Sequence, residues 1–324
     1  MKKLLCLLLF YGMADLFAQG QTGIPVHDPV MIKQDSVYYV FCTGQGITMW
    51  SSVNRKDWRR ELPVFSQPPQ WAVTAVPGFK GHIWAPDISY YNGKYYLYYA
   101  ISVFGKNTSC IGLAVNKTLH TTSPDYKWED LGLVIQSVPG RDMWNAIDPN
   151  LALDDKGDPW LAFGSFWNGI KLVKLNDDRR SLAQPEQWYT IASRPRDPAI
   201  SDTLAGDAAI EAPFIFKKDA TYYLFVSFDY CCRGERSTYK MVVGRSTRIE
   251  GPYLDKEGTP MTRGGGSVVL EGDKNWNGVG HNAVVSYDGS DYLVFHGYDA
   301  RDKGKSKLRI EKLVWTGGWP VVQP

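Results

Sequence analysis

The sequence of 324 residues has no excess of charge of either sign. It contains 36 Lys and Arg residues against 34 Asp and Glu residues, which gives a formal net charge of +2, and it has no polybasic run. Nucleic acids and anionic membrane surfaces are normally bound by a strongly basic patch. We therefore expect neither as a partner.

Cysteine and histidine are scarce, with five residues of each. So few cysteines do not make the disulfide framework of a small secreted protein, and no spacing typical of a zinc site is present. The H-x-H and H-E-x-x-H patterns of metal-dependent hydrolases are missing as well. Cys42 and Cys110 stand alone, whereas Cys231 and Cys232 are adjacent and either bond to each other or remain two thiols.

Long apolar stretches are missing except at the N-terminus. There Lys2 and Lys3 precede an apolar run at residues 4–10, and small residues follow near Ala18. These are the features of a secretory signal peptide, and the run is too short to span a membrane. We therefore predict a signal peptide at residues 1–18 and a secreted or periplasmic protein.

Long helical periodicity is also missing, and a repeat of about sixty residues organises the chain. Each copy begins with a head, a polar residue beside Pro or Asn, and continues with apolar alternation, a turn and an aromatic-rich segment. The five heads are His27-Asp28-Pro29, Ala85-Pro86-Asp87, Ile147-Asp148-Pro149, Glu211-Ala212-Pro213 and Gly280-His281-Asn282. The turns contain the pairs Asn92-Gly93, Lys156-Gly157 and Asp288-Gly289, which are typical of β-hairpins.

This repeat predicts an all-β fold. Aromatic residues make up 14% of the chain, with 12 Trp and 19 Tyr, and such residues favour strands. Each copy has room for about four strands, and four-stranded sheets repeated radially form a β-propeller. The alternative, two stacked β-sandwich domains, would not place one signature at nearly constant spacing. We predict a single propeller catalytic domain at residues 19–324.

In a propeller, equivalent ends of the innermost strands converge on the axis. The heads would therefore bring together Asp28, Asp87, Asp148, Glu211 and His281. Carboxyl groups that share a small site cannot all ionise independently, so at least one pKa should rise. A basic and an acidic carboxyl group in one cleft are what glycosidic hydrolysis requires. The alternative role for each Asp before Pro is that of a turn residue.

Five further motifs accompany the heads: HIWAPDI at 82–88, NAIDPN at 145–150, GSFWNGI at 164–170, FDYCCRG at 228–234 and VGHNAV at 279–284. The ordered set resembles glycoside hydrolase family 43, and within it the endo-acting α-1,5-L-arabinanases. The likeness runs from about residue 24 to Trp319. It implies a five-bladed β-propeller that hydrolyses internal bonds of arabinan with inversion at the anomeric carbon.

The resemblance also implies a role for each acid. Asp28 matches the general base that activates a water molecule, and Glu211 matches the general acid that protonates the leaving oxygen. Asp148 matches a third carboxylate, which orients Glu211 and keeps its pKa high, and we expect Asp148 itself to stay ionised. Asp87 is offset from the other acids, after its Pro, and we expect a structural role for it.

Several residues match positions at which the family contacts the sugar: Asp28, Trp84, Gly105, Asn145, Asp148, Ser165 and Trp167. For those outside the catalytic set, a turn or packing role is the alternative, and for Trp84 it is packing in the propeller core.

His281 matches a histidine that helps to hold a metal ion, commonly calcium, largely through water. Calcium prefers oxygen ligands, so a satisfied buried histidine is the alternative. We expect His27 and His82 to be positioning groups. The Cys231–Cys232 pair matches a vicinal pair of the arabinanases, which implies a disulfide in a rigid loop at the cleft.

Two other functions remain open at this point. One is an exo-acting α-L-arabinofuranosidase or β-xylosidase on the same propeller. The other is a non-catalytic sugar-binding propeller, although all three carboxyl groups are present. We expect a monomer that acts on arabinan or arabino-oligosaccharides.

Overall fold

Five antiparallel sheets follow one another along the chain, one for each sequence repeat, and form the five blades of a β-propeller. They are seen in a computed structural model that describes residues 20–323. The predictions of an all-β fold and of a five-bladed propeller are therefore confirmed. The predicted signal peptide at residues 1–18 lies outside the described residues. Of the helices in the described part of the chain, none has the length and apolar character of a membrane span.

The first two blades take up residues 30–137. The chain enters as β1 (Gly20–Pro25), and the first blade contains β2 (Val30–Gln34), β3 (Val37–Cys42), β5 (Thr48–Ser52) and β6 (Arg59–Arg60). The second contains β7 (His82–Tyr91), β8 (Lys94–Ile101), β9 (Ser109–Asn116) and β10 (Glu129–Ser137), and a short strand, β4 (Gly44–Gln45), pairs with β7. The helix α1 (Gln70–Ala75) lies between these blades in the chain.

The next two blades have the same form. The third contains β11 (Asn150–Leu153), β12 (Pro159–Phe163), β13 (Ile170–Lys174) and β14 (Trp188–Ala192). The fourth contains β15 (Ile210–Lys218), β16 (Thr221–Phe228), β17 (Lys240–Ser246) and β18 (Ser267–Leu270). Within residues 20–323, three single 3-10 turns complete the helical segments: Gly234–Arg236, Met261–Arg263 and Ala300–Asp302.

The fifth blade joins the two ends of the chain. It contains β19 (Trp276–Tyr287), β20 (Ser290–Asp299) and the long β21 (Lys305–Thr316). One half of β21 pairs with β1 from the start of the chain, and the other half pairs with β22 (Trp319–Gln323). The N-terminal strand therefore ties the last blade to the first and closes the ring.

Turn chemistry fixes the inner hairpins as the sequence predicts. Asn92 and Gly93 both have positive φ values, 47° and 77°, and form the two-residue loop between β7 and β8. Asp288 and Gly289 form the same loop in the fifth blade, with φ values of 53° and 71°. Such loops match the right-handed twist of the strands that they join. The alternating residues thereby place their apolar side chains between the blades, where the core lies.

The innermost strands of the five blades pack side by side in a closed ring. At the head of each, one residue other than glycine has a left-handed backbone: Asp28, Ala85, Asp148, Ala212 and His281, with φ between 42° and 57°. Pro follows four of these residues and Asn282 follows the fifth. The structurally equivalent positions therefore differ from the five polar residues that the sequence suggested. Glu211 stands one residue before its head position, and Asp87 stands two residues after.

At four of these five positions the backbone N–H group donates to a side chain of the preceding blade. The N–H of Ala85 donates to Thr43 Oγ1 at 2.8 Å, and that of His281 donates to Ser227 Oγ at 2.8 Å. The accepting side chain comes each time from the end of the second strand of its blade. In the third blade the equivalent residue is Gly164, which has no side chain to accept a hydrogen bond. The N–H of Ala212 donates instead to the carboxylate of Asp148.

Asp87 forms a second kind of tie between blades, in line with the structural role expected for it. Its Oδ2 accepts from the N–H of Leu151 at 2.7 Å, and Asn150, which occupies the equivalent position one blade later, accepts from the N–H of Ile215 at 2.8 Å. The side chain of Asp87 is buried, and burial raises its pKa to about 6.

We expect Asp87→Asn to become more stable relative to the wild type as the pH rises from 4 to 7. The native protein holds the Asp87 proton more tightly than the unfolded chain, whose Asp pKa is about 3.9, so this group makes wild-type stability fall between about pH 4 and pH 6. Asparagine keeps an acceptor for Leu151 and has no proton to lose. Urea unfolding at both pH values measures the difference.

Asp87→Ala is the control, because it leaves the Leu151 N–H buried without its partner. Relative to Asp87→Asn it should cost about 1–3 kcal/mol at either pH, because neither variant has an ionisable group at this position. A difference between Asp87→Asn and the wild type that does not change with pH would contradict the raised pKa.

Candidate active site

Three carboxyl groups and one imidazole meet at the head end of the ring. His281 Nδ1 lies 3.0 Å from Asp28 Oδ1. Burial alone would lower the pKa of His281, but the negative charges of Asp28, Asp148 and Glu211 raise it to about 9. One imidazolium therefore stands among three acids that are far apart in the sequence.

Asp28 is the most strongly paired of the acids. Its Oδ1 lies 2.8 Å from Nδ1 of His27 and 3.0 Å from Nδ1 of His281, and its Oδ2 accepts from Thr43 Oγ1 at 2.5 Å. Burial opposes ionisation, but the charges and hydrogen bonds of His27 and His281 outweigh it and hold the pKa of Asp28 well below its usual range. Asp28 is therefore ionised at neutral pH, as a general base must be.

Glu211 is held by two hydroxyl groups. Ser165 Oγ donates to one carboxylate oxygen at 2.8 Å, and the hydroxyl of Tyr239 donates to the other at 2.8 Å. Ser165 belongs to the third blade, and Tyr239 comes just before β17 in the fourth, so the carboxyl group is clamped from two sides. The resemblance implies that Asp148 orients Glu211, but the structure shows that these two hydroxyls orient it directly.

Asp148 reaches Glu211 only through the backbone. Its Oδ2 accepts from the N–H of Ala212, the residue after Glu211, at 3.1 Å. Burial raises the pKa of Asp148 well above its usual range. The positive charge of His281 lowers this pKa, but the negative charges of Glu211 and Asp28 raise it further.

This result differs from the expectation that Asp148 stays ionised. The cause is burial: Asp148 is 6% exposed, and the hydrogen bond to its carboxylate comes from a neutral backbone N–H. Burial therefore favours the protonated form of Asp148, and the negative charge of Glu211 favours it further.

The other sugar-contacting predictions fall into two groups. Asn145 is buried, and its Oδ1 has no hydrogen-bond partner within residues 20–323, so it offers a free acceptor. Trp84 is half-buried, with its indole N–H bonded to His82, and Gly105 lies in an exposed loop with φ of 73°. These positions are compatible with contact to a ligand.

Trp167 is placed differently. Its ring is 2% exposed and its indole N–H donates to the backbone carbonyl of Asp202 at 2.9 Å. No face of the ring is open to a sugar, so the predicted contact through this side chain is corrected to a packing role. The neighbouring Phe166 is partly exposed and lies near Tyr230, which makes it the accessible aromatic residue of this loop.

His281 also bears on the predicted metal ion. With Nδ1 against Asp28, the nitrogen left for a cation is Nε2, and a carboxylate on the opposite nitrogen commonly orients metal-bound histidines. A single imidazole suits a cation that takes most of its ligands from water, as calcium, with about 6–8 oxygen ligands, would have to do here. The residues therefore fit the ion, provided that it displaces the proton from His281.

Cys231 and Cys232 are joined by a disulfide, as expected from the resemblance, while Cys42 and Cys110 are buried thiols. The disulfide lies beside the base: Cys232 Sγ is 3.7 Å from Nε2 of His27. His82 is exposed and lies further out, bonded to Trp84.

Sequence reasoning missed Thr43, Tyr239 and His296. His296 is fully buried, and its Nδ1 accepts from the N–H of Asp28 at 3.1 Å. Burial lowers the pKa of His296 well below its usual range, so the ring stays neutral. Thr43 and His296 both stand at the end of a second strand, where an alignment of the repeats beyond their heads would have found them. Tyr239 has one indirect signal, because a Cβ atom on Gly280 would lie 2.2 Å from its ring.

Comparison with known proteins gives a consistent result. The family described as Glycosyl hydrolases family 43 matches residues 24–320. An extracellular exo-α-(1→5)-L-arabinofuranosidase, ArbA of Cellvibrio japonicus, is 53% identical over 94% of this chain and 88% of that protein. An extracellular endo-α-(1→5)-L-arabinanase of Bacillus subtilis is 44% identical over 93% of this chain and 88% of that protein. The structure of Cellvibrio cellulosa α-L-arabinanase with arabinohexaose covers 93% of this chain and 96% of its own, with 53% identity and a TM-score of 0.91.

Proposed function

Because the chain belongs to family 43 of the glycosyl hydrolases, with arabinanases among its relatives, we propose that it hydrolyses internal α-1,5-L-arabinofuranosidic bonds of arabinan with inversion. The observation that carries the proposal is the separation of roles within one cluster. Hydrogen bonds to two histidines hold Asp28 as a carboxylate, and Glu211 is held apart from them by the hydroxyls of Ser165 and Tyr239.

In the proposed reaction, Asp28 takes a proton from a water molecule that attacks the anomeric carbon. Glu211 donates a proton to the leaving oxygen of the sugar. Two separate carboxyl groups with room for water between base and sugar define the inverting mechanism. His27, His281 and Thr43 orient the base, and Ser165 and Tyr239 orient the acid.

Asp148 opposes the ionisation of the acid. If Asp148 and Glu211 both ionised, two anions would lie in a buried site, and their repulsion opposes the loss of the second proton. Once Asp148 is ionised, it therefore raises the pH at which the acid fails. We also propose a calcium ion on Nε2 of His281, where its charge would take the place of the displaced proton.

Endo action is supported by the relative from Bacillus subtilis, whose name describes endo cleavage. The Cellvibrio japonicus relative has the higher identity, and its name describes exo cleavage, so exo action on the same bonds is the second candidate. Both relatives are named extracellular. With the predicted signal peptide at residues 1–18, this supports the proposal that the protein is exported.

A time course on linear and on branched arabinan tests the proposal. We expect the viscosity of linear arabinan to fall by half while few reducing ends have formed, with oligosaccharides of mixed length as the first products. An internal cut shortens a long chain far more than the loss of one terminal unit does. Release of a single short product with slow loss of viscosity would favour exo action, and no release of sugar would contradict the proposed activity.

Asp148→Asn should move the alkaline limb of the pH–rate profile to lower pH by about one unit, which corresponds to about 1.4 kcal/mol. The variant keeps the shape of the side chain and its hydrogen bond to Ala212, but Glu211 then loses its proton without a second acid to oppose the loss. His281, Asp28 and Glu211 are the charged groups that face Asp148. The profile of kcat on linear arabinan measures the shift.

Asp87→Asn, which also changes a buried head carboxyl, should leave this limb in place. An alkaline limb unchanged by Asp148→Asn would contradict the repulsion between Asp148 and Glu211.

A further inference from the structure

An unbroken chain of hydrogen bonds leads from the disulfide loop to Asp28. The backbone N–H of Cys232 donates to the hydroxyl of Tyr298 at 2.7 Å. That hydroxyl lies 2.8 Å from Nε2 of His27, and Nδ1 of His27 lies 2.8 Å from Oδ1 of Asp28. The chain joins residues from the fourth, fifth and first blades.

The first bond has a fixed direction, and for a neutral His27 it favours one direction for the bonds that follow. A backbone N–H can only donate, so the oxygen of Tyr298 accepts from Cys232 and is free to donate its own hydrogen to His27 Nε2. An imidazole that accepts at Nε2 carries its proton at Nδ1. That proton points at the carboxylate of Asp28, whereas the other tautomer would turn a lone pair towards the anion.

Packing holds the two aromatic members of the chain in place. Tyr298 is 3% exposed, and the ring of His27 stacks on the buried ring of His296 with centroids 4.0 Å apart. His296 in turn accepts the backbone N–H of Asp28, so both the side chain and the backbone of Asp28 are fixed from this side.

The disulfide loop is itself closed on both sides. Cys232 has a left-handed backbone with φ of 64°, and its bond to Cys231 fixes the peptide whose N–H points at Tyr298. The N–H of Thr238 donates to the carbonyl of Tyr230 across the base of the loop, and the N–H of Arg233 donates to Ser237 Oγ within it.

We propose that Tyr298 is a positioning residue for the catalytic base, and that the Cys231–Cys232 loop orients it. The loop sets the direction of the Tyr298 hydroxyl, the hydroxyl selects the tautomer of His27, and His27 holds Asp28 towards the attacking water. The inference rests on the proposed function, in which Asp28 is the base. Tyr239 is the corresponding tyrosine of the acid, since its hydroxyl donates directly to Glu211.

These two tyrosines make a matched pair for kinetics. We expect Tyr298→Phe to lower kcat by on the order of 100-fold, as a displaced catalytic group does. The loss should be equal on linear arabinan and on a nitrophenyl glycoside of arabinotriose, because activation of water by the base does not depend on the leaving group. Tyr239→Phe should lose less on the nitrophenyl substrate, which needs little help from an acid.

Two further variants complete the kinetic comparison. The double variant Cys231→Ser, Cys232→Ser should lower kcat on both substrates by a common factor. Tyr253→Phe removes another buried hydroxyl, which donates to the carbonyl of Ile249, and should have no effect. Full activity of Tyr298→Phe, or a loss that depends on the leaving group, would overturn the role of Tyr298, and full activity of the double serine variant would overturn that of the loop.

NMR tests the chain without any activity. Long-range proton–nitrogen spectra of the wild type should show His27 protonated at Nδ1 and bare at Nε2, with the signals assigned by His27→Gln. In Tyr298→Phe the Nδ1–H tautomer should lose population. A wild-type His27 that carries its proton on Nε2 would overturn the proposal, whereas failure to cleave arabinan would overturn only the proposed function.

Discussion

The left-handed backbone at the five strand heads is the constraint on which the site depends. A residue other than glycine in this conformation costs about 1–3 kcal/mol, and such strain persists only where the surrounding structure enforces it. Here the N–H groups of Asp28, Ala85, Ala212 and His281 each bond to a side chain of the preceding blade. The same bonds between blades therefore hold Asp28, Asp148 and His281 together at the head end of the ring. The fold and the catalytic cluster have one structural origin.

Electrostatics divides the cluster into two halves. Asp28 gains hydrogen bonds from His27 and His281 and the charge of His281, and it stays ionised. Asp148 has a neutral backbone donor and a neighbouring acid, and burial favours its protonated form. His281 lies between the halves, and its pKa of about 9 reflects all three acids. Asp28 and Asp148 thus acquire opposite protonation preferences from their surroundings, although both are aspartic acids. The division does not depend on any difference in their intrinsic chemistry.

The sequence predicted those features that local chemistry determines. Asn92-Gly93 and Asp288-Gly289 form the expected hairpin loops, and the repeated heads led to the five blades and to the convergence of Asp28, Asp148 and Glu211. It could not predict the contacts made by residues without a motif of their own. Tyr239 reaches Glu211 only because Gly280 lets its ring pass, and Trp167 is buried because its loop folds over it. The protonation of Asp148 was also misjudged, since it depends on the burial of its side chain.

The anomeric form of the first product tests most directly whether Asp28 and Glu211 act as a separate base and acid. With Asp28 as a base acting through water and Glu211 as a separate acid, each cleavage of an α-linked bond must invert the anomeric carbon. Proton NMR of linear arabinan, recorded within the first minutes of hydrolysis and before mutarotation, should show the β-anomer of the new reducing end before the α-anomer. Appearance of the α-anomer first would contradict the account, because it would require a covalent intermediate on one of these carboxylates.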